Sequence, residues 1–155
     1  MKILVVGEGK SSIHEKAVVD SFARLGHQVR SFFWDEKFKS VEFPNNLIAK
    51  IQNKYLVGPE LDTLNAELLR LSLQYLPDVV FIYRGTHIYP KTLAYLKGIK
   101  KKLRVIGYNN DDPFSHRQSK WYWRHFIKSL QYYDLIYAYR KHNIEEFRNA
   151  GAGRV

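Results

Sequence analysis

Residues 3–12 have the sequence ILVVGEGKSS, a continuous apolar run followed at once by a glycine-rich loop. A run that is apolar at every position is typical of a parallel strand buried on both faces of a sheet. Comparable runs recur at 79–83, 104–108 and 135–139, and segments with helical periodicity separate them. This alternation of strand and helix predicts right-handed crossovers and a mainly parallel sheet with helices on both faces.

The fold class predicted is therefore α/β, a Rossmann-like three-layer sandwich around about five strands. Residues 29–34 supply the second strand. Ser12 followed by Glu15 matches a capping box, which predicts a helix that buries Val18, Val19, Phe22 and Leu25 and ends at Gly26. Residues 44–76 have helical periodicity and divide at Gly58-Pro59. The helices expected beyond Gly26 are 45–57, a second one up to residue 76, 92–102, 118–132 and 143–150, the last of them capped by Asn143.

Composition excludes several classes of protein. The chain has 155 residues, which suits a single domain, and 45% of them are hydrophobic and 26% charged, so it is not intrinsically disordered. No apolar run reaches the ~18–20 residues of a membrane-spanning helix. The absence of cysteine excludes disulfides and thiolate metal sites and is typical of a reducing compartment. We therefore expect a cytoplasmic protein, with contact to a membrane surface as an additional option.

The formal net charge of +10 is unevenly distributed along the chain. Residues 1–77 contain ten Lys and Arg against nine Asp and Glu, whereas residues 78–155 contain fifteen against six. Such asymmetry predicts a basic face toward an anionic partner. Lys100-Lys101-Lys102 is interpreted as an ordinary solvated run between a helix and a strand.

The loop after the first strand fails two familiar phosphate-binding patterns. A P-loop needs glycine where Leu4 stands, and the dinucleotide fingerprint needs a third glycine where Ser12 stands. Two interpretations stay open: Gly7, Gly9 and Ser11 admit a ligand close to the backbone, or the glycines only form a tight turn. His14 follows in the first helical turn and is a candidate base or hydrogen-bond donor in the cleft, with an ordinary surface histidine as the favoured alternative.

Arg84 ends the third strand, where a buried guanidinium needs a partner. It is expected either to bind an anionic group or to pair with Asp111 or Asp112. His87, three residues later, is a second candidate acid or base.

The segment after the fourth strand is the most unusual in the chain. Asn109, Asn110, Asp111 and Asp112 place four amide or carboxylate side chains in a row, and Pro113 restricts the last of them to an extended conformation. Such a set suits sugar hydroxyls or a general base. The alternative is a turn leading into the next helix, and a metal site lacks further ligands.

Two further groups of residues are candidates for ligand contact. Trp123, Phe126, Ile127 and Leu130 share an apolar helix face and are expected in the core, whereas Trp121 lies on another face with His125 and Lys128. Trp121 is interpreted as a sugar-stacking or membrane-interface residue, or as packing against a loop. Arg140 and Lys141 follow the fifth strand and add charge to the same edge. No RNA-binding signature is present, so nucleic acid is not an expected partner.

Residues 150–155 resemble the earlier passage from a helix into a strand at 25–29. The chain is therefore expected to be the amino-terminal piece of a longer polypeptide, with a complete five-stranded domain as the alternative.

The Asn-Asn-Asp-Asp-Pro segment at 109–113, the Arg84 region and the helix end at 145–151 together resemble the amino-terminal domain of GT-B-fold glycosyltransferases. Within them the chain is most similar to the group related to the CgeB spore-maturation protein and to family 1/4-like transferases. The resemblance covers the whole chain, although the other motifs are shared by many Rossmann-like domains.

The resemblance implies an acceptor-binding domain that works with a second domain, which holds most of the nucleotide-sugar site, so this chain alone is expected to be inactive. It further implies that residues 7–11 face the donor phosphates and that Arg84, Asp111 and Asp112 line the acceptor side. The acceptor class is undefined, and no cofactor or metal is expected. A competing hypothesis is a non-enzymatic module that binds an anionic ligand or a protein. The candidate catalytic residues are Asp111, Asp112 and His14, and the candidate binding residues are Gly7, Gly9, Ser11, Arg84, His87, Asn109, Asn110, Trp121, Arg140 and Lys141.

Overall fold

The computed structural model of the chain describes residues 1–39 and 45–155, and its centre is a five-stranded sheet. The strands are β1 (Lys2–Gly7), β2 (Gln28–Phe33), β3 (Val79–Tyr83), β4 (Arg104–Asn109) and β5 (Leu135–Ala138). Their order is β2-β1-β3-β4-β5, and every neighbouring pair is parallel. The predicted α/β sandwich with a mainly parallel sheet of about five strands is confirmed.

Seven helices flank the sheet in the part of the chain that the structure describes. They are α1 (Glu15–Arg24), α2 (Asp35–Lys39), α3 (Asn45–Tyr55), α4 (Pro59–Tyr75), α5 (Pro90–Ile99), α6 (Lys120–Ser129) and α7 (Asn143–Asn149), with a 3-10 turn at Leu130–Tyr132. α4 begins with Pro59 in its first turn, where the missing N–H costs nothing, as the sequence predicts. No described helix is both long enough and apolar enough to span a membrane.

The alternating side chains of the strands divide the core into two layers. Leu4, Val6 and Ile82 point to the face covered by α4, α5 and α6, where Trp123 and Phe126 are almost fully buried. The opposite face is smaller. Its buried strand residues are Ile3, Val5 and Phe81, against which Val18, Val19 and Phe22 of α1 pack.

Three local predictions are wrong or incomplete. α1 begins at Glu15 with no side-chain cap, so the proposed capping box of Ser12 is absent. Leu25 is exposed, because the helix ends before it can turn toward the sheet. α2 was not predicted, since its five residues are too few to show a period. Position 44 of the predicted helical segment lies outside the described residues.

The strand order creates a topological switch point between β1 and β3. The chain leaves β1 toward β2 on one side and later crosses back to β3 on the other, so the connections diverge at the carboxyl ends of these two strands. In open α/β sheets such a point opens a crevice in which ligands bind. After α7 the chain returns to the outer edge of the sheet, where the Ile136 N–H donates to the Arg154 carbonyl at 2.9 Å.

Candidate functional site

A polar cavity of about 230 Å³ lies at the switch point, at the carboxyl ends of β1, β3 and β4. Its lining comes from the loop after β1, the first turn of α1, the end of β3 and the loop after β4. The lining residues are Glu8, Lys10, Ser11, His14, Glu15, Tyr83, Arg84, Asn110 and Asp111. The loops that the sequence singled out after strands one, three and four therefore meet in one place.

Arg84 is held in the cavity wall by an unusual backbone. Its φ is 65° and that of Gly85 is 67°, so two consecutive residues adopt the left-handed conformation. For arginine this conformation costs about 1–2 kcal/mol, and such strain is concentrated at functional sites. The guanidinium forms an ion pair with Asp111, with Nη2 2.8 Å from Oδ2, and lies 5.7 Å from the centre of the Trp123 ring. The predicted pairing of Arg84 with one of the two aspartates is thus present, and Asp111 is the partner.

The basic residue of the first loop is also paired. Lys10 Nζ donates to Glu8 Oε1 at 2.7 Å and lies 3.4 Å from Asp35 Oδ1. The hydrogen bond to Glu8 is the main reason that the pKa of Lys10 is raised. The cavity lining contains three carboxyl groups and two permanent cations, so the basic cleft predicted from the charge distribution is not what the structure places here.

The two glycines of this loop are explained by packing inside the protein. A Cβ on Gly7 would lie 2.6 Å from Glu15 Cγ, and a Cβ on Gly9, whose φ is +85°, would lie 2.5 Å from Phe33 Cβ. The space beside each glycine is therefore already filled by a side chain of the chain itself. Of the two interpretations left open by the sequence, the geometry matches the tight turn.

Glu15 is the cavity residue that sequence reasoning missed as a functional group. It is only 3% exposed, and its Oε1 accepts a hydrogen bond from the Glu8 N–H at 3.2 Å. Its Oε2 has no hydrogen-bond partner among residues 1–39 and 45–155. The Ser-x-x-Glu spacing suggested a helix-capping role, which concealed the fact that this side chain turns back onto the loop.

Asp112 anchors the loop after β4 and does not line the cavity. Its Oδ1 accepts from the N–H groups of Phe114 and Ser115 and from Asn143 Nδ2, and its Oδ2 lies 3.1 Å from His142 Nε2. Partial burial acts to raise the pKa of Asp112, but these hydrogen bonds outweigh it and the pKa is lowered overall. Asn143 bonds to Asp112 and does not cap α7, contrary to the prediction.

Substitution of the two aspartates separates their roles. Asp112→Ala is expected to lower the free energy of unfolding by about 2 kcal/mol, because it leaves two backbone N–H groups and an amide without their acceptor. Asp111→Ala removes only a partly exposed ion pair, which is worth less than about 1 kcal/mol. Urea denaturation followed by circular dichroism measures both, and equal losses would contradict the distinction.

The remaining polar candidates after β4 and β5 differ in their positions at the carboxyl-terminal edge of the sheet. They are Asn109, Asn110, Arg140 and Lys141. Asn109 is buried and its Oδ1 accepts from the Asp111 N–H at 3.1 Å, so it shapes the turn. Asn110 lines the cavity, and its backbone carbonyl accepts from Arg140 Nη1 at 3.0 Å. Lys141 is exposed and is not part of the lining. Only Asn110 of these four faces the cavity.

His14 is exposed and lies in the cavity wall. Its ring stacks on that of Tyr83 with 5.6 Å between centroids. His14, Tyr83 and Asn110 also line a neighbouring groove of about 600 Å³ beside α1, which is mainly apolar. The polar cavity is therefore one end of a longer depression.

His87 and Trp121 lie outside the lining of the polar cavity, and the burial of His87 contradicts its prediction as a ligand-binding residue. His87 is buried, with Nε2 2.6 Å from Asn53 Oδ1 and the ring stacked on Trp34. Burial is the main cause that lowers the pKa of His87 to about 3, so the ring stays neutral and is no acid or base near neutral pH. Trp121 donates its indole N–H to the Tyr55 carbonyl, which corresponds to the packing alternative.

One group of side chains has the ligand types that a divalent ion takes. Ligand atoms of Asp112, His142 and Glu146 lie within 4.8 Å of one another. They are already engaged, since His142 bonds to Asp112, and Asn143 Nδ2 donates to Glu146 Oε2 at 2.7 Å. This group lies apart from the polar cavity.

Fold and site together define an α/β protein with a polar, ligand-sized cavity at the switch point of a doubly wound parallel sheet. No known protein-family description matches the chain, and no curated protein is similar to it in sequence at a significant level.

Proposed function

We propose that this domain binds the acceptor in a glycosyl-transfer reaction, as the amino-terminal half of a GT-B glycosyltransferase. The observation that carries the proposal is the composition of the polar cavity. Carboxylate, amide, hydroxyl and guanidinium groups from three loops surround a volume of about 230 Å³, and this mixture suits the hydroxyl groups of a sugar. The resemblance of the 109–113 segment to these enzymes is the second support.

In this proposal His14 is the general base. Asp111 is held by Arg84 and Asp112 by the N–H groups of its own turn, whereas His14 lines the cavity and its ring makes no hydrogen bond within the described residues. His14 takes the proton of the acceptor hydroxyl as that oxygen attacks the anomeric carbon of the donor sugar. The bond from that carbon to the diphosphate breaks, and the nucleoside diphosphate leaves with the electron pair. The donor would be bound mainly by a second domain.

Titration of the ¹⁵N-labelled chain with a panel of methyl glycosides, sugar phosphates and nucleotide-sugars tests the proposal. At least one sugar-containing compound is expected to shift the amide resonances of Glu8, Arg84 and Asp111. Asp111→Ala is expected to weaken this binding about tenfold, because it releases Arg84 and removes a hydroxyl acceptor.

Asp78→Ala is the matched control, since this aspartate pairs with Lys100 at 2.5 Å, outside the lining of the polar cavity. It should leave the affinity unchanged. The proposal would be overturned if no member of the panel shifted cavity resonances, or if the shifts clustered around residues elsewhere.

A further inference from the structure

The polar atoms of the cavity that the protein leaves without partners define what a ligand must offer. Lys10 is hydrogen-bonded to Glu8, and one end of the Arg84 guanidinium forms an ion pair with Asp111. Three residues of the lining each have one buried side-chain atom without a hydrogen-bond partner among the described residues: Glu15 Oε2, Asn110 Oδ1 and Arg84 Nε. Two of these atoms are acceptors and one is a donor.

A hydroxyl group both donates and accepts, whereas phosphate at neutral pH mainly accepts. A ligand with two or more hydroxyl groups matches two acceptors and one donor. A phosphate group would place its negative charge against the Glu15 carboxylate and against Glu8 and Asp111 in the same lining. Burial strengthens this repulsion, because the effective dielectric constant is lower than in water.

The backbone of the first loop argues in the same direction. Phosphate sites at the start of a helix depend on free backbone N–H groups. Here the Glu8 N–H is donated to Glu15 Oε1, so the side chain of α1 occupies a group that would otherwise face an anion. This contact removes the Glu8 N–H from the donors that the loop at 7–11, which the resemblance assigns to the donor phosphates, could offer an anion.

We propose that the polar cavity selects a neutral, hydroxyl-bearing ligand over a phosphorylated one, and that Glu15 is the residue that sets this preference. The inference rests on the proposed function and narrows it, since it identifies the part of the acceptor that the cavity holds as an uncharged diol or sugar ring. Glu15 acts as a specificity residue. Oε1 keeps the loop in place, and Oε2, which the surrounding residues cover, is the atom left to accept from a ligand hydroxyl.

Glu15→Gln tests the role of this carboxylate with almost no change of shape. The Glu8 N–H fixes the amide orientation, because only the amide oxygen can accept from it, so the amide nitrogen takes the position of Oε2. An acceptor in the cavity becomes a donor, and one negative charge is lost. We expect methyl glycosides to bind at least about tenfold more weakly to Glu15→Gln, and inorganic phosphate to bind more tightly than to the unaltered chain.

The same substitution at exposed Glu36, which lies outside the cavity, is the control and should change neither affinity. Asn110→Ala provides a second variant in case Glu15→Gln does not fold. It removes an oxygen that bonds to nothing in the described protein, so it should weaken glycoside binding about threefold to tenfold with the thermal midpoint unchanged.

Chemical-shift titrations of the full chain with a methyl glycoside, inorganic phosphate and the corresponding sugar phosphate separate the outcomes. The inference is supported if the unaltered chain binds the glycoside at the cavity more tightly than phosphate, and if Glu15→Gln shows the opposite order of affinities. Cavity binding of the sugar phosphate in preference to the glycoside overturns this inference and leaves the proposed function standing. Absence of cavity shifts with every probe overturns both.

Discussion

Replacing Phe126 by alanine is expected to lower the free energy of unfolding by about 3–5 kcal/mol. Phe126 is 1% exposed, and its ring lies 5.9–6.0 Å from the ring centres of Trp123, Tyr133 and Phe147. Truncation removes its buried surface and leaves a cavity that three rigid aromatic neighbours cannot fill. Urea denaturation followed by tryptophan fluorescence and far-ultraviolet circular dichroism gives the change.

Phe22→Ala is the matched control in the smaller core. Phe22 lies only 5.7 Å from the Phe81 ring but is partly exposed beside the groove, so its loss should cost about 1–2 kcal/mol. Similar losses for the two variants would contradict the expectation that the larger core cluster, beneath α4, α5 and α6, contributes more to stability than the smaller one beneath α1.

Phe126 also connects this core to the functional edge. A Cβ on Gly85 would lie 3.2 Å from Phe126 Cδ2 and 2.7 Å from the Tyr133 hydroxyl. The turn that follows β3 therefore rests directly on the aromatic cluster, which helps to hold Arg84 in its left-handed conformation. In the Phe126→Ala variant the Arg84 amide should exchange its hydrogen faster, even under conditions where the sheet stays folded.

The fold could be predicted because its signals are local and repeated. The apolar runs at 3–6 and 79–83 are interpretable without any long-range information, and the helical period of Leu61, Leu64 and Leu68 matches the buried face of α4. The start of α1 could not be predicted in this way. It depends on where Glu15 meets the loop after β1, a tertiary contact that the capping-box pattern does not contain.

The site was predictable at the level of loops and less so at the level of residues. Arg84 and Asp111 could be paired because parallel strands end at one edge of the sheet. His87 could not be placed correctly, since its burial depends on the left-handed turn at Arg84 and Gly85, which returns the chain to the core. Asp112 has the role of the turn alternative, because its carboxylate accepts from the N–H groups two and three residues later. Glu15 was expected only to cap α1, and its contact with the Glu8 N–H depends on how the loop folds back.

Because His87 is buried, the free energy of unfolding of the whole chain should fall as the solution becomes acidic. Burial comes first among the causes that lower its pKa to about 3, followed by the positive potential of His125, Arg84 and Lys10. In the unfolded chain the same ring titrates near pH 6.5. Below that value protons bind preferentially to the unfolded chain, so the stabilisation is complete above pH 6.5 and is lost as the pH falls toward 3.

The slope of this loss is about 1.4 kcal/mol per pH unit, so the free energy of unfolding should drop by about 3 kcal/mol between pH 7 and pH 4.5. His87→Gln keeps a donor toward Asn53 Oδ1, which lies 2.6 Å from Nε2, but it does not titrate. Urea denaturation of both proteins at intervals of half a pH unit should show a much shallower slope for the variant, whatever its stability at pH 7. Burial lowers the pKa of His125 as well, and because both proteins keep this residue, the difference between their curves reports His87. The carboxyl group of Asp112, whose pKa is also lowered, contributes its loss mainly below its ordinary value of 3.8, outside this window. If the free energy of unfolding fell equally with pH in the two proteins, protonation of His87 would not be the cause of the loss of stability.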